Sequence, residues 1–127
     1  MEAPDIIHVL CLSDESQEFM TPPQKSRREI LEGFVAANPN DAFARYGLAM
    51  ECASTGDTAA ALEHYAQLLA AHPDYVPGYY QYGTLLTRLG RKGEARKTLS
   101  EGVAAARKAG NSHAQEEMET ALAEAGQ

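Results

Sequence analysis

Cysteine, basic residues and long apolar runs are all scarce in this chain, and each shortage removes a class of function. Two of the 127 residues are cysteine. Cys11 falls near the N-terminus and Cys52 inside a helical pattern, so a reducing compartment is expected and a structural disulfide is not. Lys and Arg number 11 against 18 acids, for a formal net charge of −7. A nucleic-acid footprint needs clustered bases on a basic domain, so no nucleic-acid partner is expected. The apolar run Ile6-Ile7-His8-Val9-Leu10-Cys11-Leu12 is too short to span a bilayer, so no membrane partner is expected either. It follows Glu2 and Asp5 instead of a basic stretch, and no small-residue cleavage site comes after it, so it is not read as a secretory leader. The expectation is a soluble, cytoplasmic protein.

Chemistry-bearing clusters are missing too. His8, His64, His72 and His113 are dispersed, with no cysteine or carboxylate at metal-ligand spacing. His64 and His72 read as surface histidines. Ser100 and Ser112 have no base beside them, and Glu116-Glu117-Met118-Glu119 reads as a solvated helix face. Gly90-Arg91-Lys92-Gly93 lacks the spacing of a phosphate-binding loop. Neither catalysis, a metal nor a cofactor is expected.

What the chain does have is a period. Residues 42–75 resemble residues 76–109 at a fixed spacing of 34. Pro39 pairs with Pro73, Tyr46 with Tyr80, Leu48 with Tyr82, Gly56 with Gly90 and Ala61 with Ala95. A period of this length marks stacked helical units, none of which can bury its apolar face alone. The spacing predicts an all-α fold of about six antiparallel helices. The first starts at Ser26 with Ile30, Leu31, Phe34 and Val35 on one stripe. Asn38-Pro39-Asn40-Asp41 stops it, and Asp41 is placed to cap the second helix, which runs to about Ser54 and buries Tyr46, Leu48, Ala49 and Cys52. The third covers roughly 58–71 with Ala61, Leu62, Tyr65, Leu68 and Leu69 inward. The fourth covers roughly 76–89 with Tyr79, Tyr82, Gly83, Leu85 and Leu86, and Pro77 is tolerated in its first turn. The fifth covers about 92–106 with Ala95, Leu99, Gly102 and Val103, and a sixth covers about 112–125 with Ala114, Met118, Ala121 and Leu122.

These residues resemble the tetratricopeptide repeat (TPR) pattern. The second unit reads Tyr79-x2-Tyr82-Gly83-x2-Leu86 and then Ala95-x3-Leu99. The first reads Arg45-x2-Leu48-Ala49-x2-Cys52, then Ala61-x3-Tyr65, and closes on Pro73. Arg27-x3-Leu31, Phe34 and Pro39 resemble the second helix of an incomplete preceding repeat, and residues 111–125 a capping helix. Three positions depart from the pattern. Arg45 stands where a large apolar residue is usual, Arg27 stands where a small one is, and Arg107 replaces the closing proline, so the fifth helix is free to run on. Arg27 points to an open contact face, since a packed small-residue site would not take it without strain.

The resemblance implies a non-catalytic protein–protein interaction module whose concave groove takes a peptide or helix of a partner protein. On its register the groove residues are Phe43, Tyr46, Gly47, Met50 and Ser54 in the first repeat and Tyr80, Gln81, Thr84 and Arg88 in the second. Tyr46 and Tyr80 sit on the opposite side of their helices from Leu48/Cys52 and Tyr82/Leu86, where aromatics serve as binding anchors or cover a neighbouring helix. The lysine and asparagine clamp that some TPR domains use on a C-terminal carboxylate is absent, and Arg88 is the one cation at these positions.

Residues 1–25 are of different material. They carry Glu2, Asp5, Asp14, Glu15 and Glu18 with Lys25 alone in return, and Pro22-Pro23 forbids a continuous helix. They read as a flexible acidic tail, with Met20 as an alternative start of the chain. A basic stretch over residues 88–108, net +5, is the charge opposite of residues 1–24, net −5, so the tail folds back, reaches a neighbouring molecule or stays solvated. The unpaired face of the first helix leaves three arrangements open. It stays free beside a partner-binding groove, it stacks on another copy through Ile30 and Phe34 to make a homo-oligomer, or it is covered by residues 6–12.

Overall fold

The computed structural model describes residues 26–126; the acidic tail expected over residues 1–25 lies outside the described residues. Six helices follow one another: α1 (Arg27–Ala37), α2 (Ala42–Ser54), α3 (Thr58–Ala71), α4 (Val76–Arg88), α5 (Lys92–Ala109) and α6 (Ser112–Ala125). No strand occurs among the described residues.

Short polar side chains start most of these helices by taking a backbone N–H that would otherwise lack a partner. Ser26 and Glu29 cap α1 reciprocally, at 3.1 and 3.0 Å. Asp41, Asp57 and Asn111 accept from the N–H groups of Ala44, Ala60 and Ala114 at 3.1, 3.2 and 3.0 Å. No side chain caps α4; Pro77 in its first turn removes one donor instead. The turns after α2, α4 and α5 close on Gly56, Gly90 and Gly110, whose φ values are 92°, 79° and 72°. A side chain there costs about 1–2 kcal/mol, which explains why the period pairs Gly56 with Gly90.

Each helix packs on the next. In addition α2 touches α4 and α4 touches α6, while the backbones of α1, α3 and α5 stay apart, α1 reaching the start of α3 only by side chains such as Arg28, which donates to the α3 N-cap Asp57 at 2.8 Å. The stack therefore curves, with α2, α4 and α6 on its inner side and α1, α3 and α5 outside. Two cores fill it. One is built from Leu48, Ala49, Cys52, Ala61, Tyr65 and Leu85; the other runs from Val76, Tyr79 and Leu86 through Leu99, Val103 and Ala106 to Met118 and Ala125. Tyr65 and Tyr82 stack at 5.7 Å between ring centres. The Tyr79 hydroxyl donates to the Pro73 carbonyl at 2.7 Å, tying α4 to the turn before it. No helix among the described residues is long and apolar enough to cross a membrane.

Three local readings differ from the pattern. α5 continues to Ala109, because Arg107 can extend it where a proline would stop it, and the left-handed Gly110 ends it. Ile30 and Phe34 are 44% and 56% exposed, because α1 has α2 on one side and no described neighbour on the other. His64, read as a surface histidine, is half-buried. Its Nδ1 lies 3.3 Å from Arg45 Nη1, which donates to Gln67 Oε1 at 2.6 Å, while Nη2 reaches the Pro39 carbonyl at 3.5 Å. Arg45 thus stitches α2 to α3 where an apolar residue is usual.

That placement has a pH consequence. Burial first, and the Arg45 charge second, hold His64 below its ordinary value of 6.5. Between that value and the lowered one, the unfolded chain binds the proton and the folded chain does not, so stability falls as pH drops through this window. The urea midpoint is expected to fall between about pH 7.5 and about pH 5.5, and to fall less in His64→Gln. Equal falls in both proteins would mean that His64 titrates as it does in water.

Candidate functional site

The inner side of the stack carries seven of the nine residues expected to form a groove. Tyr46, Met50 and Ser54 come from α2, and Tyr80, Gln81, Thr84 and Arg88 come from α4. A depression of about 320 Å³ lies between Met50 and Ser54 on one wall and Gln81, Thr84 and Arg88 on the other. Its floor includes Tyr65 and Leu85, the top of the first core. A second depression of about 320 Å³ shares Gln81 and runs between Tyr46, Tyr80 and the start of α6. A third, of about 250 Å³, shares Tyr80, Thr84 and Arg88 and is closed by Glu117, Thr120 and Glu124. The three adjoin, since each pair has lining residues in common, and together they make up a trough along the inner side.

Its chemistry is mixed. Tyr46 is half-buried, its ring centre 5.3 Å from that of Tyr75, and burial raises its hydroxyl above the ordinary tyrosine value while a hydrogen bond to Gln81 opposes the rise. Arg88 is exposed, and among the described residues no carboxylate lies within 4.0 Å of it. Glu117 and Glu124 stand across the third depression from it. One end of the trough thus offers a cation and two anions to a ligand, over an aromatic and aliphatic middle.

Phe43 belongs elsewhere. It is 75% exposed and lines a separate, larger groove of about 760 Å³ between α1 and α2, with Ile30, Leu31, Phe34, Gly47 and Met50. Gly47 narrows there, since a Cβ on it would come within 3.3 Å of Leu31 Cδ2. Met50 is the ridge between the two grooves. The contribution of α6 was hidden from the sequence. At 18 residues α5 is longer than the 14-residue α3, which carries α6 out of the 34-residue period that located the other walls. Glu117 consequently looked like part of a solvated face. Among the described residues no three His, Cys, Asp or Glu side chains come together to hold a metal.

A family profile described as tetratricopeptide repeat matches residues 53–116. The chain belongs to the tetratricopeptide repeat family. Its structure is similar to that of a TPR domain protein from Salinibacter ruber solved in solution, with 35% identity, TM-score 0.66, and 69% of this chain and 89% of that one covered. A crystal structure of a TPR domain protein from the same organism gives 35% identity and TM-score 0.64 over 67% and 96% of the two chains. A protein from Bordetella parapertussis, solved in solution, is 25% identical, with TM-score 0.69 over 81% and 90%. No curated protein matches the chain. TPR domains are in general protein–protein interaction modules without catalysis, and their curved stacks present extended concave surfaces.

Proposed function

We propose that this TPR protein binds an extended peptide or a helix of a partner protein, non-catalytically, in the trough formed by α2, α4 and α6. The observation that carries the reading is that three adjoining depressions share Tyr80, Gln81, Thr84 and Arg88 as lining residues. Thr84 and Arg88 lie one helical turn apart and each borders two depressions, so a ligand following the trough must pass them. The ligand best suited carries an apolar side chain for the Met50–Tyr65–Leu85 floor and a carboxylate for Arg88. Cys52 is buried as a free thiol, which suits a reducing compartment such as the cytoplasm.

The test is selection of binders from a random peptide library against the full chain, followed by affinity measurement on Thr84→Glu and Arg88→Glu. These positions are half-buried and exposed, so the fold tolerates them. Each change is expected to weaken binding by about 30-fold, the loss of one central contact of about 2 kcal/mol. Peptides that bind both variants as well as the parent, yet lose Phe43→Asp, would move the site to the α1–α2 groove. Tyr46 and Tyr80 are poorer probes, because both pack against the cores as well as facing the trough.

A further inference from the structure

At the α1–α2 groove no described helix covers the apolar face of the stack. Ile30, Phe34, Phe43 and Met50, four of the five large apolar residues exposed among the described residues, line it. One period further on, Leu31 and Phe34 correspond to Tyr65 and Leu68, which are 1% and 0% exposed. Tyr65 is covered by Leu48, Ala49 and Cys52 of α2. The place that α2 takes beside α3 and α4 is filled by no described helix beside α1 and α2.

We propose that residues 6–18 of this same chain are the helix that fills it. Val9-x2-Leu12-Ser13-x2-Ser16 repeats the spacing of Arg45-x2-Leu48-Ala49-x2-Cys52 and Tyr79-x2-Tyr82-Gly83-x2-Leu86, with the small Ser13 where Ala49 and Gly83 stand. The offset from the first repeat is 36, two more than the period. Those two residues are absorbed in the connection, since residues 19–26 with Pro22-Pro23 replace the three-residue turns 55–57 and 89–91. At 100° per residue Val9, Leu12, Ser13 and Ser16 share one face, and Asp14, Glu15 and Glu18 fall on the other side. The polarity also runs the right way. A helix in this position lies alongside α2 in the same direction. Its apolar first half then meets Phe34 and Phe43, and its second half passes the rim where Arg27 pairs with Glu51 at 3.8 Å, with the acids of that half turned to water. Ser26 is the N-cap of α1, one wall of the groove, so the connection starts at the site it has to reach.

The experiment uses the full chain with a nitroxide on Cys11, which the same wheel turns away from the groove. Cys52 is 0% exposed and burial raises its thiol above the ordinary value, so it stays unlabelled. Phe34 lies about 12 Å along α1 from Ser26, at the end of the groove it shares with Phe43. Their amide signals are expected to be lost in the labelled chain, recovered when the nitroxide is reduced, and recovered in labelled Leu12→Asp. In a mixture of labelled unenriched chain with unlabelled enriched chain they are expected to persist. The same loss in that mixture would seat a second copy in the groove and overturn the assignment. Identical signals in the parent and Leu12→Asp would overturn it as well, by leaving the groove free for a partner. Unchanged α3–α6 signals in Leu12→Asp show that the described fold is intact when the comparison is made.

Discussion

Replacing Gly102 with alanine is expected to cost about 2 kcal/mol and to lower the melting temperature by about 10 °C, although alanine is the better helix former. Gly102 lies in α5 where α4 and α6 both press on it. A Cβ built there sits 2.5 Å from Tyr79 Cβ and clashes with Met118 Sδ. Neither neighbour has room to withdraw, since Tyr79 is 7% and Met118 0% exposed. Overpacking of this kind costs about 1–3 kcal/mol and more where the contact is close to the backbone, against a propensity gain of about 1 kcal/mol. Gly93 provides the internal comparison. It is on the same helix and a Cβ there meets nothing within 4 Å, so Gly93→Ala is expected to raise the midpoint by a few degrees. Thermal melts followed by circular dichroism decide the matter: an unchanged or higher midpoint for Gly102→Ala would mean that α5 can move away from α4 and α6.

Removing residues 111–127 is expected to abolish the cooperative melt. Without α6 the second core loses Met118 and Ala125 outright and leaves Leu99, Val103 and Ala106 facing water. Losing one buried methionine side chain costs about 2–5 kcal/mol, and the whole helix contributes Ala114, Ala121 and Leu122 besides. A domain with about 5–15 kcal/mol to spare does not survive that, and the newly bared surface is large enough to drive association. Far-UV circular dichroism and size-exclusion chromatography of the truncated chain provide the check. A truncated monomer melting at the parent temperature would show that α6 is an accessory to the stack, not its cap.

Most of the fold was legible because it repeats. Two turn glycines and two helix-ending prolines at the same spacing are constraints on backbone, not on packing, and they appear where the structure has turns. The core faces of α4 and α5 followed from periodicity alone, since Leu86, Leu99 and Val103 have no competing role. The trough was less legible. Tyr46 and Tyr80 both cover a core and line the trough, and only packing can apportion an amphipathic ring. Phe43 was read with them because one helix face was assumed to meet one surface; α2 meets two, and Met50 is where they part. His64 was missed because the residue that half-buries its surroundings, Arg45, is a departure from the family pattern.

Leu85 and Leu86 are neighbours in sequence, yet they are buried in different cores. Their helix is thus the party wall of a two-room building. Neither room can lose its shape without bending the wall, and the other room feels it at once. In a longer array such walls come in series and the ends can fray while the middle holds. Here α4 makes that wall together with Leu62 and Leu69 of α3, so cooperative unfolding is expected to rest on these two helices, and α4 also supplies Tyr80, Gln81, Thr84 and Arg88 to the trough. A ligand gripping that helix would stiffen both halves of the molecule together.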